Sequence, residues 1–386
     1  MKAKAYIDHC SRAGALALLR DPGENASAFT LLDLASCTEA MILYDTLVGF
    51  WGTTYFMESK ALEVAPMLKA QMENLGINIL TETRGSLFYC VPEMSDRYWD
   101  NLEYFDLHGF HKRLEPYLTA LINKLPQGAY GYDPVNHTPG VDATDLTYGA
   151  FHYVLHATLT GSMYFASSLR TPVVTLLRKH INKGVVNAMQ EVLDLVTDAQ
   201  RLRLEQLGED FYGKQVFLNL PSFFRMALQK CNGRENFLES VLQIRNDRSV
   251  RSLRKWVSGL QNRLASGKLR DLEIAKSELT SIGKSMETPA TSRTVQMLEF
   301  IPSGVVELKN AIKQKGKDWI KMAVDLVSQP HVILLRRLVE SLQSLREDRN
   351  LIQNKLGIEL NDRILAEMQW IESFAEKMDN ENYKEC

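Results

Sequence analysis

Cysteine is scarce in this chain, and its spacing carries no motif. Cys10, Cys37, Cys90, Cys231 and Cys386 are far apart and odd in number, with no Cys-x-x-Cys pair. That pattern excludes a disulfide scaffold and the common zinc and thiol-exchange motifs, and points to reduced thiols in a cytoplasmic protein. Glycine (22) and proline (12) are too few in 386 residues for a collagenous or low-complexity chain. The apolar run Ala13–Leu19 is short and is approached through Asp8, His9 and Arg12, which argues against a signal peptide. The 24 residues Leu146–Leu169 lack Asp, Glu, Lys and Arg, long enough to cross a bilayer. They contain His152, His156, two glycines and several hydroxyl residues, so a buried helix is expected and no membrane partner. Also missing are a Gly-x-Ser-x-Gly elbow, a Gly-x-x-x-x-Gly-Lys phosphate loop, a Gly-x-Gly-x-x-Gly turn and an EF-hand loop. Their absence removes the commonest nucleotide enzymes and α/β-hydrolases.

What is present describes a globular protein: 45% hydrophobic and 24% charged residues, with a net charge of −2. The length suits two or three domains. The charge is unevenly placed, amounting to −8 over residues 1–145 and +9 over 225–321. Unlike fields of this size favour packing between the segments, or between copies of the chain.

The expected fold is mainly α: a small α/β amino-terminal unit, a multi-helical middle and a carboxy-terminal helical hairpin. Leu31–Tyr44 has helical spacing and Leu47–Trp51 reads as a short strand. Glu58–Leu75 reads as a helix, 77–81 and 86–91 as strands, and Leu107–Leu125 as a helix ended by Pro126. Gln127–Pro139 has the composition of a linker, and Asp142 or Asp145 can cap the uncharged helix after it. Beyond Thr171 only helices are expected, over 172–207, about 220–230, 234–266, 268–286 and 303–328, with a second linker at Glu287–Thr294. The domains are therefore set at 1–126, 140–286 and 295–386. In the last, Leu335, Leu338, Leu342, Leu345, Ile352 and Leu356 follow coiled-coil heptad spacing, Gly357 breaks the helix, and Ile364, Met368, Ile371, Phe374 and Met378 line the return helix.

Three places could carry chemistry. His152 and His156, four apart on one helix face, could share a divalent metal, although two ligands do not make a site and no Glu stands beside the first His. With Tyr148, Tyr164 and Arg170 they could instead line a ligand pocket, since polar-tipped rings in an apolar segment need partners. Asp33, Glu39 and Asp45 are a weak candidate for a magnesium cluster, because six-residue steps do not place them on one helix face. Arg245, Arg248, Arg251, Arg254, Lys255, Arg263, Lys268 and Arg270 lie within 26 residues that hold one acid, Asp247. Leu253, Trp256, Val257, Leu260 and Leu264 mark the core face of that helix, leaving Arg248, Arg251, Arg254, Lys255 and Arg263 as a basic binding face.

The function expected on these grounds is non-catalytic: an interaction, scaffold or regulatory protein. It would use the hairpin for self-association or partner binding, and the basic helix for an acidic protein surface. A nucleic-acid-binding protein using the arginine-rich helix is the first alternative. An enzyme or ligand sensor built around His152, His156 and Arg170 is the second. No cofactor is expected beyond the weak metal possibility.

Overall fold

The computed structural model describes residues 4–50, 80–83, 106–125, 130, 141–159, 163–177, 214–266, 278, 293–300 and 330–380. Among them the protein is mainly α-helical, with a small parallel sheet built largely from its amino-terminal residues. The sheet begins at strand β1 (Lys4–Ile7), a four-residue strand too short to stand out by pattern. Helices α1 (His9–Arg20), α2 (Pro22–Asn25) and α3 (Ala28–Leu43) follow, and then β2 (Thr46–Phe50) and β3 (Leu80–Thr83). Next come α4 (Leu107–Ile122), α5 (Ala143–Leu159) and β4 (Met163–Phe165). All four strands run parallel in the order β3-β2-β1-β4, with Tyr6 in register with Val48 on one side and Tyr164 on the other.

α3 is the hub. Ser27 caps it through a reciprocal box with Thr30, and 13 of its 16 residues are buried, so it is enclosed on every side rather than amphipathic. It packs on α1, on β1 and β4, and on the helices of the carboxy-terminal half. Those are α6 (Phe223–Lys230), α7 (Phe237–Asn246), α8 (Arg248–Ser266), α9 (Pro330–Glu347) and α11 (Asp362–Asn380), with α10 (Arg349–Leu356) between the last two. Buried side chains from β1 to α11 form one continuous cluster.

Several expectations are corrected. The uncharged run 146–169 is not one helix: α5 stops at Leu159 and Met163–Phe165 pairs with β1. A β-rich Met-Tyr-Phe triplet after Gly161 completes the sheet instead. The chain beyond Thr171 is not all helical either, because β5 (Lys214–Pro221) and β6 (Arg293–Phe300) form an antiparallel pair, and β6 takes up the end of the expected second linker. Residues 234–266 divide into a 3-10 turn, α7 and α8, broken where Asp247 turns extended and accepts from the Ser249 N–H at 2.8 Å. The heptad helix breaks at Asp348, so α9 and α10 are separate. Gly357, at φ 71°, ends α10 as expected, and Asn361 caps α11. The helices expected at 58–75 and 303–328, the strand at 86–91, all of 268–286 but residue 278, and most of 172–207 lie outside the described residues.

Leu338, Leu342, Leu345, Ile352 and Leu356 are all buried in the chain's own core, as are Ile364, Met368, Ile371 and Phe374. The described part of the heptad seam is therefore filled within the molecule, where α9 packs on α11 and α3, while the side chains of Leu335 and Met378 lie outside the described residues.

Candidate functional site

In an open parallel sheet, the crevice beyond the carboxyl ends of two strands whose connections leave in opposite directions is the usual place for a ligand. Here that point lies between β1 and β4, since the chain steps from β1 out to β3 on one side and returns to β4 on the other. Asp8 directly follows β1 and is wholly buried. One carboxylate oxygen accepts from the Cys10 N–H at 2.9 Å, capping α1, and from Arg170 Nη1 at 2.6 Å. The other accepts from the Tyr164 hydroxyl at 2.6 Å and the Ser167 N–H at 3.3 Å.

Arg170, five residues beyond β4, fills the crevice. Its Nη2 pairs with Asp145 Oδ2 at 2.6 Å, and its guanidinium carbon lies 5.0 Å from the Tyr153 ring centroid. Burial opposes its charge, but Asp145 and Asp8 outweigh that penalty and push its pKa above the ordinary arginine value. Gly149 leaves the room it needs, because a Cβ there would stand 2.8 Å from Nη2. The Arg170 Nε is buried and makes no hydrogen bond among the described residues.

Beside this pair lies Asp33 of α3, which accepts from the Tyr130 hydroxyl at 2.5 Å and the Ser168 N–H at 2.8 Å. Burial lifts its pKa to about 7 in spite of those bonds. Cys10, 3.2 Å from Arg170 Nη1, stays a thiol because burial raises its pKa well above the usual value. Among the described residues, no group of three or more His, Cys, Asp or Glu side chains could hold a metal.

Of the expected pocket residues, Tyr164 and Arg170 meet at Asp8. Tyr148 turns elsewhere: its hydroxyl bonds His108 Nδ1 at 2.6 Å, while His111 Nδ1 meets the Thr147 hydroxyl at 3.1 Å. The side chains of His152 and His156 lie outside the described residues. Asp33 and Asp45 do not converge, since Asp33 turns to the crevice and Asp45 stands 3.8 Å from Arg254 Nε. Asp8 and Tyr130 were missed from sequence. The signal for Asp8 was an acid closing the apolar Ala5–Ile7 and opening a helix.

The basic helix divides into two sets of cations. Arg245, 5% exposed, donates to the carbonyls of Met41, Tyr44 (2.5 Å) and Asp45 (3.1 Å). Arg254, 9% exposed, donates to the carbonyls of Ile42 at 3.2 Å and Arg245 at 2.5 Å. Arg254 therefore does not belong to the exposed face. Both guanidinium groups answer the unpaired carbonyls and negative dipole end of α3. Burial, and after it the charge of Arg254, lowers the pKa of Arg245 to about 10. Arg248, Arg251 and Lys255 are exposed, and none forms an ion pair among the described residues. Val250, Leu253 and Trp256 anchor the opposite side of the helix in the core. The side chain of Arg263 lies outside the described residues.

Comparison of the chain with protein-family models, with curated proteins and with solved structures finds no match. Among the described residues, no helix is long and apolar enough to cross a membrane.

Proposed function

We propose that this is a non-catalytic, cytoplasmic interaction protein that binds an anionic partner through the outer face of α8. One observation carries the reading: Arg248, Arg251 and Lys255 are exposed over Arg245 and Arg254, whose charges meet carbonyl oxygens and one partly exposed carboxylate, Asp45. Among the described residues no further carboxylate pairs with this charge, which supports its neutralisation by a partner. The crevice at the sheet's carboxyl edge supports the same reading, because Arg170 commits its guanidinium to Asp8 and Asp145 rather than presenting it to a ligand.

The reading is tested by binding at low salt to two polyanions, polyglutamate and a mixed-sequence oligonucleotide, with the wild type and the triple variant R248E/R251E/K255E. The wild type should bind at least one polymer and the variant neither. Failure of the folded wild type to bind either polymer would overturn the proposal.

A further inference from the structure

Resting on that reading, we infer that the partner met by Arg248, Arg251 and Lys255 is the phosphate backbone of a nucleic acid. Positions 248, 251 and 255 follow three- and four-residue steps, so they fall on one side of α8 and span about 10 Å at 1.5 Å rise per residue. That is a short cationic rail rather than a scatter of charges. Two of the three are arginines, whose planar forks bond two oxygens of a phosphate at once.

The surroundings favour phosphate over an acidic protein surface. Protein interfaces draw most of their binding energy from Trp, Tyr and Arg anchors closed off from water in a pocket of apolar neighbours, and are otherwise depleted of charge at their centres. The rail offers no such anchor: Val250, Leu253 and Trp256 are turned into the core, and the large apolar side chain exposed among the described residues, Tyr117, belongs to α4. A polyphosphate needs none, since counterion release supplies its affinity. The two inner arginines add to the field beneath the rail without reaching a ligand themselves. Recognition of this kind tracks backbone charge and is indifferent to base sequence.

The test is a salt titration of full-length protein on mixed-sequence duplex DNA and single-stranded RNA, with polyglutamate of matched charge as the third arm. Three phosphate contacts give log K against log salt a slope of about −2.7 on duplex and about −2 on a single strand. Replacing Arg248 and Arg251 by alanine should cut the duplex slope by about 1.8 while leaving the thermal unfolding midpoint unchanged. Binding to polyglutamate alone would overturn this inference and leave the anionic-partner reading standing. Binding to no polymer would end both. A slope unmoved in the folded double variant would also overturn it, because the rail would then not be the contact.

Discussion

The cation at the centre of the amino-terminal half is one residue, Arg170, and its cost and its worth are both set by burial. A guanidinium shut away from water is tolerated only because Asp8 and Asp145 hold it at 2.6 Å each. Arg170→Ala strands a buried carboxylate and should cost about 3–5 kcal/mol, read as denaturant unfolding. Arg170→Lys keeps the charge but cannot fork between two acids, so it should recover only part of that loss. Asp33 predicts a pH dependence. Its folded pKa, about 7, lies above the ordinary 3.8, so between pH 4 and 7 the folded state keeps a proton that the unfolded chain has released. This group's contribution therefore makes the protein less stable as pH rises through that window, levelling off above it. Asp33→Asn should flatten this part of the profile, with unfolding midpoints at pH 5 and pH 7.5 as the check. At this scale the sequence announced the types of residue but not their partners. Tyr164 and Arg170 stand out as polar groups in an apolar run, whereas Asp33 lies 135 positions from Ser168 and Asp8 lies 162 from Arg170, and spacing rules reach only a few residues.

At the level of elements, α3 is held from both ends by other helices. Glu367 of α11 accepts from the Ala28 N–H at 2.8 Å at its amino terminus, while Arg245 and Arg254 of α7 and α8 take its terminal carbonyls. Each contact places charge where the helix dipole favours it. Glu367→Ala should therefore lower stability by about 1–2 kcal/mol, the scale of a lost helix cap. Arg245→Ala should cost about 1–3 kcal/mol, because it strands buried carbonyls. Long periodic helices are legible from sequence, α3, α4 and α11 within a few residues, as is the short α6 with Pro221 near its start, and Gly357 and Asn361 mark the end of α10 and the start of α11. The short strands were not. β1 and β4 have four and three residues, too few for alternation to show, and they are strands because each completes the other's hydrogen bonding. Leu253 and Trp256 of the apolar stripe of α8 are buried, the side chains of Val257, Leu260 and Leu264 lying outside the described residues, but an arginine reaching over a neighbouring helix end leaves no periodic trace. The helical spacing accordingly points Arg254 to the surface, where the structure does not put it.

At the scale of the whole molecule, the described residues share one core, which joins segments that read in sequence as separate units, with α3 passing through its middle. The heptad leucines that suggested self-association are part of that core. Leu342→Asp, at a side chain with no exposure, should therefore abolish cooperative unfolding of the chain rather than dissociate an oligomer. Circular dichroism melts at two protein concentrations check this, the two curves being expected to coincide for the wild type. What the core leaves outside is the rail on α8, and its separation from the buried arginines is the claim on which the functional account turns. The most direct measurement sets R245A/R254A beside R248A/R251A/K255A and reads thermal unfolding and low-salt polyanion binding on each. The account predicts that the inner pair loses stability, while the outer triple keeps the wild-type midpoint and loses binding. An outer triple that binds as the wild type does, or that unfolds as early as the inner pair, would contradict it.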